Sequence, residues 1–406
     1  MEHSTRSVQA VAIKLIFFHT SYRSRYTDVV IRANSSSSSE DKARVGGSSN
    51  SYILDPENTE GIIIHVIRAN EDGNQRISSN EELNWKLIWT DHPGGIDPNG
   101  SSSIRSVKLS GKGPEATLTV YPGSAAGNAV IAVTNADGSE IYWSWHIWVT
   151  HFDPDDANNT YTNNGYVLMD RNLGAHIDDA NDGYKDPAFW GLFYQWGRKD
   201  PFPQAAAIGS QNHRPIYDAD GNPVYIGVIE NRPQLGANES NMEYAIRNPL
   251  DYIGRYSGTE DWYHSNVNYT NDELWITGGV KGGKKTVYDP CPEGWMVPEI
   301  APEGDNGVLG GIFSEWQGKT ITFDTENYMF ISSVLGYWPA AGMINKNNSG
   351  TFHEVGTGGC YWSSLPNPGS GRTSYAGYWS QIWGFVTPGH ATSRSAAAAI
   401  RCMKEN

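Results

Sequence analysis

Residues 127–150 read GNAVIAVTNADGSEIYWSWHIWVT, and the reading of the fold turns on them. Two runs rich in β-branched and aromatic residues flank Asp137-Gly138, a pair suited to the positive φ values of a tight turn, so the segment predicts a β-hairpin. Along its second strand Trp143, Trp145, Ile147 and Val149 share one face, while Tyr142, Ser144, His146 and Trp148 share the other. The first face is core. For the second, half-burial outweighs a binding surface built on His146 and Trp148.

Working back from the hairpin, SYIL (51–54), GIIIHVIRAN (61–70), NWKLIWT (84–90) and ATLTVYP (116–122) are short apolar runs punctuated by turns. With the hairpin they predict a small β-sandwich over residues 50–151. Working forward, DPDDANNTYTNNG (153–165) is polar and without periodicity, which places a domain boundary there. The second domain, 152–406, opens with a strand at YVLMDRN (166–172) and a short helix around AFWGLFYQWG (188–197). A further helix starts at Ser240, which with Glu243 fits a capping box, and Asn248-Pro249 stops it. Beyond residue 320 the chain returns to β, so the fold class is mainly β with an α+β second half.

Composition agrees. The 406 residues include 44 Gly, 21 Pro and 15 Trp, a balance typical of turn-rich β proteins. A net charge of −15 with no clustered basic surface excludes a nucleic-acid partner. No apolar run reaches transmembrane length. Residues 1–49 read as a leader remnant followed by a linker: VQAVAIKLIFF (8–18) is broken by Lys14 and lacks a cleavage site, and 35–39 is a serine run. No cysteine precedes Cys291, so the chain as written carries no lipoprotein anchor. Three cysteines permit one disulfide and leave one thiol.

Five segments in order, VLMDRNLGA (167–175), GLFYQWGRKDPFP (191–203), DPCPEGWMVPE (289–299), GGCYWSS (358–364) and the closing IRCMKEN, resemble the Fibrobacter succinogenes major paralogous domain. The wording of IRNPLDYI (246–253), DWY (261–263) and LW (274–275) is most similar to Bacteroidales surface proteins grouped with fimbrillin-like pilus and adhesin components. The resemblance implies an Ig-like β-sandwich followed by a C-type lectin-like domain. It also implies a location outside the cell or on the outer-membrane surface, and a glycan- or partner-binding role without catalysis. It further implies that Cys291 and Cys402, in the positions of the family's CPxGW and final RC strands, are bridged, with Cys360 left as a buried thiol beside Tyr361 and Trp362.

Site residues are weighed on that basis. In YAGYWSQIWGFV, strand alternation puts Tyr375, Trp379, Gln381, Trp383 and Phe385 on one face, where flat rings beside an amide suit sugar stacking. The same alternation describes a core face, the weightier reading for most of these rings. His353, Asn367, Arg372 and His390 are candidates for the polar rim. No metal is expected: LPNPG (365–369) lacks the acidic residue of the lectins' calcium-dependent sugar motif, and Asp153/Asp155/Asp156 and Asp178/Asp179/Asp182 read as solvated loops. No cofactor and no catalytic residue is expected, since nucleophile-elbow, zincin and phosphate-loop motifs are missing and GGVKGGKK (278–285) has the wrong spacing. The sequence therefore predicts a non-enzymatic cell-surface binding or adhesion protein acting through its C-terminal domain. The alternative is a structural pilus or surface-assembly subunit that exchanges strands and has no glycan ligand.

Overall fold

The predicted hairpin is the spine of a mainly β structure. The computed structural model describes residues 43–406 except 58–59, 164, 177–184, 231–232, 257, 300–321, 333–335, 346–349, 367–374, 379–389 and 406. Eight strands build the first region: β1 (Arg44–Val45), β2 (Ser51–Leu54), β3 (Ile62–His65), β4 (Leu83–Thr90), β5 (Ile104–Ser110), β6 (Thr117–Pro122), β7 (Gly127–Asn135) and β8 (Ile141–Val149). They form two sheets, ordered β1-β3-β6-β5 and β4-β7-β8-β2, the latter extended beyond β4 by a hairpin of Ile216–Tyr217 and Pro223–Val224. At the β7–β8 turn only Gly138 of the expected pair is left-handed (φ +77°). The Asp137 carboxylate instead accepts from the Ser139 amide (3.0 Å), and a register shift at Val133/Thr134 absorbs the longer loop.

Both faces of β8 are buried, where half-burial of one was expected. Trp143, Trp145, Ile147 and Val149 are inaccessible, and so are Ser144, His146 and Trp148. Each tryptophan withdraws about 200 Å² from water, up to about 5 kcal/mol of transfer free energy. The second cover comes from far along the chain. The Ser144 hydroxyl donates to Asp200 (2.6 Å) and the Asn128 amide donates to the Gly174 carbonyl (2.9 Å), while on the first face Trp143 stacks on Tyr288 with ring centroids 6.1 Å apart. One apolar cluster accordingly runs from Tyr52 through Trp145 and Trp190 to Cys402, and residues 41–406 form one compact unit.

Past residue 152 the elements are short. Tyr166–Met169 pairs with Thr160–Asn163 and with Met403–Lys404, which in turn pairs with Trp295–Met296. The helix expected over 188–197 is absent. Pro187–Trp190 is a single 3₁₀ turn capped by the Asp186 carboxylate (2.8 Å from the Ala188 amide), Gly191 ends it at φ +73°, and Phe193–Gln195 is a strand paired with Ala397–Ala399. Five aromatic residues in ten bury more area as an extended segment between layers than as one face of a short helix. The helix expected near Ser240 exists as α1 (Met242–Arg247), but without the capping box. Ser240 Oγ accepts from the Met242 amide (3.3 Å), and the Glu243 carboxylate is taken by Arg76 and Asn74.

Cys291 and Cys402 are bonded, Cα–Cα 6.0 Å, and Cys360 is a buried thiol. The disulfide thus ties the loop before Trp295–Met296 to the strand that pairs with it. Lys285 holds the same loop from the other side, its ammonium donating to the carbonyls of Cys291 (2.7 Å), Pro292 (2.8 Å) and Trp295 (2.7 Å).

Candidate functional site

Three buried polar clusters carry residue types associated with catalysis, and packing commits each to structure. In the first, Ser51 Oγ lies 3.0 Å from His146 Nδ1, the spacing of a nucleophile and its base. Asn128 spends its amide hydrogens on Asp91 (2.9 Å) and Gly174, so its oxygen faces His146 Nε2 (2.9 Å), which must carry the ring proton. Nδ1 is then the acceptor, and the Ser51 hydroxyl is shared between it and the Pro290 carbonyl (2.6 Å). Burial drives the His146 pKa down to about 3, and both residues are about 1% exposed. A substrate cannot reach this pair. The network continues through Asp91 to His176 (3.2 Å) and pins the first region to the second.

Lys199 forms the second cluster. Burial lowers its pKa to about 8, as in catalytic lysines, yet its three hydrogens go to the Ser144 carbonyl (3.0 Å), Ser144 Oγ (2.7 Å) and Asp200 (2.7 Å). In the third, Arg394 lies 4.1 Å above the Trp196 ring and donates to Asn271 O (3.0 Å) and to the Asp272 carboxylate. The Arg394 amide and the Ser393 hydroxyl both bond Glu260 O (3.0 and 2.6 Å), and Glu260 is itself left-handed (φ +55°) and buried. This cluster anchors the hairpin formed by Tyr375–Tyr378 and His390–Ser393.

Of the sugar-stacking face expected from sequence, only Tyr375 lies among the described residues, on that hairpin. Tyr375 pairs with Ser393, and Tyr378 with His390, so Tyr375 and His390 stand near opposite ends of one ladder. Trp379, Gln381, Trp383, Phe385, Asn367 and Arg372 lie outside the described residues. His353 is exposed on Phe352–His353, in a different sheet from the hairpin. Among the described residues no group of three or more His, Cys, Asp or Glu is placed to hold a metal, and no helix is long and apolar enough to cross a membrane. Asp178, Asp179 and Asp182 lie outside the description.

An open concavity among the described residues lies elsewhere. A groove of about 580 Å³ runs between β1 and β2, each the last described strand of its sheet, and is closed on the far side by the loop 292–295 and Lys404. Its volume is that of a ligand site. Tyr52, Phe152 and Trp295 line it. The Tyr52 hydroxyl donates to Gly47 O (2.7 Å), and burial raises its pKa to about 12. Around the aromatic residues stand five carboxylates, Asp55, Glu60, Asp153, Asp155 and Glu293, against two permanent cations, Arg44 and Lys404. Lys404 leans towards Asp155 (3.6 Å) and His151 towards Asp55 (3.1 Å). The carbonyls of Asn50, just before β2, and of Leu54 accept from the amides of His146 and Thr150, whereas the Ile53 carbonyl points into the groove and accepts from Arg44 (2.8 Å).

Sequence reasoning read Asp153 and Asp155 as a polar boundary and a solvated loop, because the walls come from residues 44–47, 51–55, 60–62, 150–155, 292–295 and 404, which no local pattern connects. Searches against protein-family models, curated proteins and solved structures found no match to this chain.

Proposed function

We propose that the protein is a non-enzymatic binding or adhesion component of a cell surface, its first region an Ig-like sandwich and its second a C-type lectin-like module. The observation that carries this reading is the groove. This accessible concavity is walled by strand edges and a disulfide-braced loop, while the residue types that catalysis would use are buried with their hydrogens committed. A rigid, open, polar-rimmed cleft with aromatic residues in its walls suits recognition. The aromatic hairpin anchored by Arg394 is a second contact surface for a glycan.

The test is a glycan-array and cell-adhesion screen of the full chain, with and without chelator, followed by Trp379→Ala, Trp383→Ala and Glu293→Lys. Saturable, chelator-insensitive binding lost in one of these variants supports the reading. Turnover of a glycan by the purified protein would refute it.

A second reading, a pilus or surface-assembly subunit without a glycan ligand, is favoured by one feature. The β2 edge turns the Ile53 carbonyl outward with a side chain in the place of a neighbouring strand. Blank glycan arrays combined with self-assembly of the purified chain would move the assignment there.

A further inference from the structure

We propose that the groove between β1 and β2 takes an extended, basic segment of a partner polypeptide, laid along the β2 edge with its lysine or arginine side chains over the acidic rim. The inference rests on the groove being a binding site and adds the chemistry of its occupant.

Charge is the first argument. Five carboxylates against two permanent cations leave a surplus of three negative charges on the groove wall, and the two cations are already engaged, Arg44 on a carbonyl and Lys404 beside Asp155. Glu293 is exposed, and its carboxylate lies so close to Gly47 that a Cβ there would fall 1.8 Å from Oε2. The missing side chain at Gly47 is what lets this carboxylate lean over the groove beside β1. Asp155, 79% exposed in its side chain, stands on another wall. An acidic cleft in a chain of net charge −15 repels anionic partners and draws cationic ones.

The backbone is the second argument. The Ile53 carbonyl faces away from β8, and the Arg44 guanidinium occupies the place of a donor from a neighbouring strand. Exposed strand edges recruit extended chains through main-chain hydrogen bonds, and a charged side chain on the edge is a common guard against unwanted pairing. Arg44 is such a guard: a partner N–H at Ile53 displaces it, and a partner cation then replaces its charge over the carboxylates. Because side chains alternate along a strand, every second residue of the partner faces the acidic rim.

The experiment is fluorescence anisotropy on the full chain with two labelled eight-residue peptides of alternating pattern, one with lysine and one with glutamate at alternate positions. The lysine peptide is expected to bind at least about tenfold tighter than the glutamate peptide, with affinity falling as salt rises from about 20 to about 200 mM. Glu293→Lys and Asp155→Lys, both at exposed positions that leave folding intact, each weaken the lysine peptide by about tenfold, whereas Glu115→Lys, outside the groove, does not. Arg44→Ala, by removing the guard, tightens it. N-methylation of alternate peptide amides abolishes binding.

Equal binding of the two peptides, no binding of either, or indifference to Glu293→Lys overturns the proposal, and full binding of the N-methylated peptide overturns its strand pairing. If the lysine peptide fails while glycan or cell binding by the full chain persists, only this inference falls. If both fail, the reading of the protein as a binding component falls with it.

Discussion

Replacing both Cys291 and Cys402 with alanine measures how far the second region depends on one cross-link. The bond closes a segment of 111 residues. On the chain-entropy relation, a loop of that length restricts the unfolded chain by about 16 cal/mol/K, which near 25 °C is about 5 kcal/mol of stability. The unit spans residues 41–406, and at about 2.1 cal/mol/K per residue its unfolding entropy is about 0.8 kcal/mol/K, so the loss converts to a drop in Tm of about 6 °C. The native loop keeps other supports, namely the Lys285 clamp and the pairing of Trp295–Met296 with Met403–Lys404, so the folded structure should survive. Differential scanning calorimetry of oxidised wild type and the double alanine variant reads the difference. Thiol titration of the denatured, unreduced wild type should find one thiol, Cys360. A shift under about 2 °C would show that the unfolded chain is constrained by something other than this bond. Three titratable thiols would remove the bond altogether.

His146 holds a folded-state pKa near 3 against an ordinary 6.5, so between these values the unfolded chain binds a proton that the folded chain refuses. Stability therefore falls as pH drops from 6.5 towards 3, by up to about 1.4 kcal/mol per pH unit, and His146→Gln should flatten that part of a denaturant-midpoint-against-pH profile. An unchanged slope would mean that the ring is protonated in the fold. Lys285→Met strips a donor from three carbonyls at once and should cost about 3 kcal/mol in urea unfolding, whereas Lys284→Met, on the exposed side of the same loop, should cost under about 0.5 kcal/mol. A Cβ on Gly123 would stand 1.9 Å from the Ser102 carbonyl oxygen. Gly123→Ala should lose about 2–3 kcal/mol, against about 1 kcal/mol for Gly138→Ala, where only the left-handed backbone objects. Equal costs at the two glycines would refute the packing argument.

Much of the strand content was legible in sequence, for identifiable reasons. SYIL, NWKLIWT, ATLTVYP and the Asp137-Gly138 hairpin are all strands, because β-branched and aromatic runs bounded by turn residues have few other ways to bury themselves. The strand Ile104–Ser110 went unread, because IRSVKLS mixes charge and apolar residues as an edge strand can. The Cys291–Cys402 bond was legible only through family resemblance, since three cysteines admit three pairings. The groove was not legible at all. Its acidic residues are ordinary surface residues one at a time, and only folding sets Asp55, Asp155 and Glu293 around one space.

By itself, then, the sequence determined the local alphabet: strands where side chains alternate or run apolar, turns where Gly, Asp and Asn sit, and a short helix stopped by Asn248-Pro249. Tertiary structure decided what covers what. It buried the second face of β8 and the neighbouring Ser51 of β2 with later chain, as Asp200, 56 positions on, closes over Ser144 and Pro290, 239 positions on, closes over Ser51. It turned 193–195 from helix to strand, and it left β2 with one open edge. The physical reason is range: propensity and turn chemistry act over a few residues, whereas burial is settled by whichever distant segment can remove the most apolar surface from water while satisfying the polar groups it covers.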